Sequence, residues 1–158
     1  MFKQLFVTTL MLCVFGTQTY SQSKYQESYI MFREIMKLGS VAVATAEENN
    51  LEVVKIDIDL VGKGNSKQTL KKLSNSFNYA IIAVGSPSRI KDLDIKVFYL
   101  TNDGQQILVA KDQSVESVAK VEFTPTVSGT YFIVIDAYEM VPGYLGTMGY
   151  YFLTIAHD

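Results

Sequence analysis

At 158 residues, with 14 basic against 16 acidic side chains and a net charge of −2, the chain has the size of one domain and lacks a basic excess. Nucleic acid and anionic lipid surfaces, which both attract basic patches, are therefore excluded as expected partners. A single cysteine, Cys13, rules out internal disulfides and thiolate metal sites, and 48% hydrophobic content is enough for a core without covalent staples.

The N-terminus reads as a secretory signal peptide over residues 1–21. Lys3 gives the positive start and Leu5 to Phe15 an apolar run interrupted by Thr8 and Thr9. Gly16 to Ser21 is small and polar, with Thr19 and Ser21 placed for cleavage before Gln22. The apolar run is too short to span a bilayer. A buried N-terminal helix is the alternative. Leu12 stands where a lipoprotein needs a small residue before Cys13, which argues against lipidation. The expected location is periplasmic or extracellular.

Residues 22–50 hold the one strong helix pattern, from Lys24 to about Ala46. Tyr25, Tyr29, Phe32, Met36 and Val43 form one stripe, and Met31, Ile35, Leu38 and Ala42 an adjacent one. Gly39 costs about 1 kcal/mol relative to alanine and is expected to bend or end the helix. The helix is read as packing on the flank of the domain. A partner helix, or one mediating homo-oligomerisation, is the alternative.

From Leu51 to Asp158 the signals are those of strands. Val54, Ile56, Ile58 and Leu60 alternate with Lys55, Asp57 and Asp59, as in a half-buried strand. Ser66 to Leu73 reads as a lysine-bearing edge strand, with a helical turn as alternative. Phe77 to Gly104 is the organising stretch, two core strands forming a central hairpin. Tyr79 to Val84 is unbroken apolar, so buried on both sides. Gly85-Ser86-Pro87-Ser88 is a polar connection. Beyond it Leu93, Ile95, Val97 and Tyr99 oppose Asp94, Lys96 and Phe98. Asn102-Asp103-Gly104 turns the chain into a strand from Gln105 to Ala110. Val118 to Phe123, Tyr131 to Tyr138 and Tyr150 to Ala156 complete about eight strands at short intervals. That is the pattern of a mainly β protein, an antiparallel jelly-roll-like sandwich with one N-terminal helix.

The segments FNYAIIAVG, DLDIKVFYLTNDGQQILVAKD, VAKVEFTPTVSGTYFIVI and GYYFLTI together resemble the bacterial pre-peptidase C-terminal domain family. The resemblance covers Leu51 to Asp158. It implies a secreted β-sandwich module of a kind often appended to exported enzymes, here standing behind a helix. In Ser128-Gly129-Thr130-Tyr131, the tyrosine is placed to return its hydroxyl to backbone across a sandwich corner.

Catalysis has little support. The sole histidine, His157, is next to the C-terminus, and no Gly-x-Ser-x-Gly, His-Glu-x-x-His or phosphate-binding glycine loop is present. No cofactor is required. Calcium is the chemistry best suited to the residues, since Asp92, Asp94, Asp103 and Asp112 gather hard oxygen donors near strand ends, although aspartates commonly cap such turns. The loop from Met140 to Gly149 offers Met140, Tyr144, Leu145 and Met148 either as an adaptable partner-binding surface or as a cap over the end of the sandwich. The expected function is an exported, non-catalytic binding or accessory module that engages a protein partner or envelope component. The alternative is calcium-dependent carbohydrate or matrix binding.

Overall fold

The computed structural model describes residues 2–112, 114–143 and 148–158, with side chains from Tyr25 onward. Helix α1 (Phe2–Glu48) is followed by eight strands: β1 (Glu52–Gly62), β2 (Lys67–Leu73), β3 (Tyr79–Gly85), β4 (Ile90–Leu100), β5 (Gln106–Lys111), β6 (Val118–Phe123), β7 (Gly129–Met140) and β8 (Met148–His157). One sheet has the order β1-β8-β3-β6 and the other β2-β7-β4-β5, with all ladders antiparallel. Two four-stranded sheets in this order make an eight-stranded jelly roll, as the strand pattern predicts.

The core lies between the sheets. Leu93, Ile95 and Val97 of β4 and Tyr131, Ile133 and Ile135 of β7 meet Tyr79, Ile81 and Ala83 of β3, Ala119 and Val121 of β6, and Leu153 and Ile155 of β8. The alternation read in β4 therefore assigns its inward face correctly. The Tyr131 hydroxyl donates to Val127 O at 2.6 Å, closing the expected tyrosine corner. Gly104, at φ 84°, provides the left-handed residue of the β4–β5 turn.

A second apolar layer lies outside the first sheet. Ile35, Ala42, Leu38 and Val43 of α1 pack on Val84, Phe152, Ile58, Ile82 and Tyr150. β3 is thus buried on both sides, by the core and by the helix, as its unbroken apolar run predicts. The helix is continuous through Gly39, contrary to expectation. A Cβ at Gly39 would stand no more than 2.5 Å from three carbons of the Phe152 ring, so glycine here permits close helix–sheet approach and introduces no bend.

Two other expectations are corrected, and the half-buried strand β1 acquires its orientation. β3 and β4 are not a hairpin. They belong to different sheets, and Ser86–Arg89 carries the chain around the corner between them. Ile56, Ile58 and Leu60 of β1 face the helix side, not the inter-sheet core, because a bulge between Val53 and Lys55 shifts the register. Lys55, Asp57 and Asp59 consequently line the sandwich edge. There Lys67 reaches Asp59 at 2.8 Å, Thr69 donates to Asp57 at 3.3 Å and Lys71 donates to Val54 O at 3.0 Å. β2 is an edge strand, as its lysines suggest. Met140 and Met148 belong to β7 and β8, because both strands run further into the expected loop.

Candidate binding face

The polar connection after β3 anchors the helix. Glu34 of α1 accepts hydrogen bonds from the hydroxyls of Ser86 and Ser88, the latter at 2.9 Å, and Glu27 pairs with Arg89. Arg89 Nε also donates to Met31 Sδ at 3.2 Å. Ser86 and Arg89 are buried. Their backbone is joined to the neighbouring strand ends, with Ser86 N donating to Tyr150 O at 2.9 Å and Val141 N to Arg89 O at 2.8 Å. These side chains fix α1 over the first sheet, where it covers the outer surface of β3 and β8.

Among the described residues, no helix covers the outer surface of the second sheet. Leu70 is in register with Phe132, Phe132 with Phe98, and Phe98 with Leu108. Phe98 and Phe132 point away from the core, because Val97, Tyr99, Tyr131 and Ile133 beside them point inward, and Leu70 and Leu108 share their face through register. An apolar row thus crosses all four strands, roughly 14 Å wide at the usual strand spacing. Leu70 and Leu108 at its ends are 59% and 46% exposed. The next row is Gln68, Val134, Lys96 and Lys111, and beyond it Asp94 is in register with Asp136. There a cleft of about 520 Å³ opens between Lys63, Asp94, Lys96, Asp136, Tyr138 and Glu139. Lys96 bonds Asp136 at 2.7 Å, and this bond holds the ammonium pKa above its ordinary value. Burial, and then the charge of Asp92, push Asp94 up. The face is therefore graded from apolar through basic to acidic.

The four proposed calcium ligands divide. Asp92, Asp94 and Asp112 are within electrostatic reach of one another. Asp103 lies at the far end of β4, on the order of 25 Å along the strand, where Thr101 and Gln105 donate to it. Among the described residues, no three Asp, Glu, His or Cys side chains converge as metal ligands. Asp92 is the unusual member. It is only 5% exposed, its Oδ1 has no hydrogen-bond partner, and burial together with Glu139 and Asp112 raises its pKa.

Of the proposed partner-binding residues, Met140 packs back against the core and Met148 is exposed, while Tyr144 and Leu145 lie outside the described residues. His157 stacks on Phe77 with centroids 4.1 Å apart and meets Tyr79 edge-on. The apolar row is the feature that sequence reasoning missed, because register across three ladders assembles it and no single segment displays it.

Solved structures share this architecture. The copper-binding surface protein CorA of Methylomicrobium album BG8 superposes with a TM-score of 0.51 at 11% identity, over 68% of this chain and 93% of that one. The pre-peptidase C-terminal domain of a Bacillus anthracis collagenase, from the family named by the sequence motifs, gives 0.48 at 14% identity, over 64% and 87%. The periplasmic g-type lysozyme inhibitor PliG of Aeromonas hydrophila gives 0.43 at 8%, over 66% and 85%. Likeness at these identities is one of fold. No protein-family model matches the chain, and no curated protein is similar to it in sequence. Among the described residues, no helix is long and apolar enough to cross a membrane.

Proposed function

We propose that this protein is an exported, non-catalytic binding module that engages a protein partner or envelope component through the open face of its second sheet. The observation that carries this reading is the asymmetry of the sandwich. The chain's own helix lies over β3 and β8 in the middle of one outer face, whereas the other presents an uncovered apolar row beside a polar cleft. An apolar strip flanked by charges has the composition of a recognition surface, with apolar contacts at the centre and polar groups at the rim. The expected export signal at residues 1–21 fits such a role outside the cytoplasm.

The test is affinity capture from envelope extracts with the wild-type protein and with Leu70→Ser/Leu108→Ser. Both side chains sit on edge strands and are about half exposed, so the melting temperature should hold. Loss of the captured species at unchanged stability is the expected result. Equal capture by both proteins would overturn the assignment of the face.

Calcium-dependent glycan or matrix binding is a second reading, favoured by the buried, unpartnered Oδ1 of Asp92 close to Asp94 and Asp112. A cation there would draw on the free Asp92 Oδ1 and on backbone carbonyls. It predicts a rise in melting temperature at millimolar calcium that Asp92→Asn abolishes. An unchanged melting temperature refutes it.

A further inference from the structure

α1 carries two apolar stripes; the sheet uses one of them and only the C-terminal end of the other, at Val43. Ile35 and Ala42 are buried against Phe152 and Val84, with Leu38 packed beside them. Further round the helix, Tyr25, Tyr29, Phe32 and Met36 follow at spacings of four, three and four residues, the seam spacing of paired helices. They are 75%, 63%, 42% and 40% exposed. This seam borders β1. The Phe32 ring meets Tyr150 edge-on at 5.8 Å, and Tyr150 is in register with Leu60. Ile56, on the same outward face as Leu60, is 50% exposed.

We propose that the seam pairs with the same seam of a second copy, giving an antiparallel helix–helix dimer about a two-fold axis. Three observations select a second copy. First, the seam is self-complementary. With the axis passing between Ile30 and Met31, Tyr25 faces the partner's Met36 and Tyr29 faces the partner's Phe32, so each rigid ring meets either an adaptable thioether or another ring. Second, the acidic side chains of this part of the helix, Glu27 and Glu34, are turned to Arg89, Ser86 and Ser88 of their own chain. That leaves the seam free of acidic charge; its one neighbouring cation, Arg33, stands 6.0 Å from the Tyr29 ring centroid at the border of the seam, as charged groups do at an interface rim. Third, the area is sufficient. The exposed parts of the four seam residues and Ile56 offer on the order of 500 Å² of apolar surface per copy. This is about the apolar share of a standard interface of about 800 Å² per partner.

The exported protein is measured by light scattering after size exclusion across a concentration series. The wild type should have twice the chain mass and dissociate on dilution. Tyr25→Ser/Tyr29→Ser should be monomeric, with the melting temperature of the dilute wild type, since both rings are more than 60% exposed. Tyr25→Cys/Met36→Cys should oxidise to a covalent dimer, whereas Tyr25→Cys alone should not. In the antiparallel pair the two Tyr25 sites lie about 16 Å apart along the axis, beyond the ~7 Å Cα separation a disulfide can bridge. A wild type that is monomeric at every concentration, a dimer that survives Tyr25→Ser/Tyr29→Ser, or efficient bridging by Tyr25→Cys alone would each overturn the proposal. None of these outcomes bears on the open face of the second sheet.

Discussion

Gly39→Ala sets helix propensity against packing, with opposite signs. In a helix interior the change should stabilise by about 1 kcal/mol, because glycine loses more backbone freedom on folding than alanine does. Here the new methyl would lie within 2.5 Å of three Phe152 ring carbons, closer than real Cβ contacts come. Phe152 is itself buried, between Ile35, Ala42 and Val84 of the helix–sheet layer, so its ring has little room to yield. Overpacking of a filled site costs about 1–3 kcal/mol, more where backbone must move. Because the helix itself must lift, the upper part of that range applies. The expected net effect is destabilisation by about 1–2 kcal/mol, a fall in melting temperature of roughly 3–8 °C. Chemical denaturation of Gly39→Ala, Phe152→Leu and the double variant closes the cycle. In the double variant the smaller leucine side chain should restore most of the loss, giving a coupling of about 1 kcal/mol or more between the sites. A stabilised Gly39→Ala, or additivity within about 0.3 kcal/mol, would show that the helix does not lie on Phe152 as described.

Asp92 makes stability depend on pH. Burial raises its folded-state pKa above the unfolded 3.8, so the native protein binds more protons than the unfolded chain in that interval and loses stability as pH rises through it. Asp92→Asn should therefore stabilise by about 1–3 kcal/mol at pH 7 and do little in strong acid; equal effects at both pH values in denaturant titrations would contradict this. Glu34→Gln weakens the charge-assisted bonds from Ser86 and Ser88 and should cost about 1–2 kcal/mol. The loss should appear in hydrogen exchange as earlier opening of α1 than of β4, and uniform loss of protection would argue against a local latch. Tyr131→Phe removes the 2.6 Å bond to Val127 O and should cost about 1 kcal/mol with the fold intact, as near-UV circular dichroism and thermal melting would report.

The parts of the fold legible in the sequence are those where one segment holds all the information. The apolar run of β3 announces burial on both sides, and the alternation of β4 announces which residues face inward. The Asn-Asp-Gly turn and the tyrosine corner are equally local. What escaped depends on partners distant in the chain. The apolar stripe of β1 meets the helix and not the core, because a one-residue bulge exchanges the faces and the helix offers a competing apolar surface. Gly39 reads as a weak point until Phe152, over a hundred residues away, is seen to occupy the space above it.

The candidate site shows the same division more sharply. Aspartates at strand ends are visible in sequence, but their grouping is not, and β4 separates Asp103 from Asp92 and Asp94 by its own length. Leu70, Phe98, Leu108 and Phe132 lie in four segments with no common motif. Each taken alone is one outward residue on an amphipathic strand, which needs no explanation. Register makes them a row, and α1 makes the row informative. A chain that covers one outer face of its sandwich with its own helix, anchored by Glu27 and Glu34, possesses the means of hiding apolar surface. The apolar row of the opposite face and the Tyr25–Met36 seam are left uncovered by those means. Retaining both costs solubility unless something else covers them, which is the physical ground for proposing the one as a partner-binding face and the other as a dimer seam.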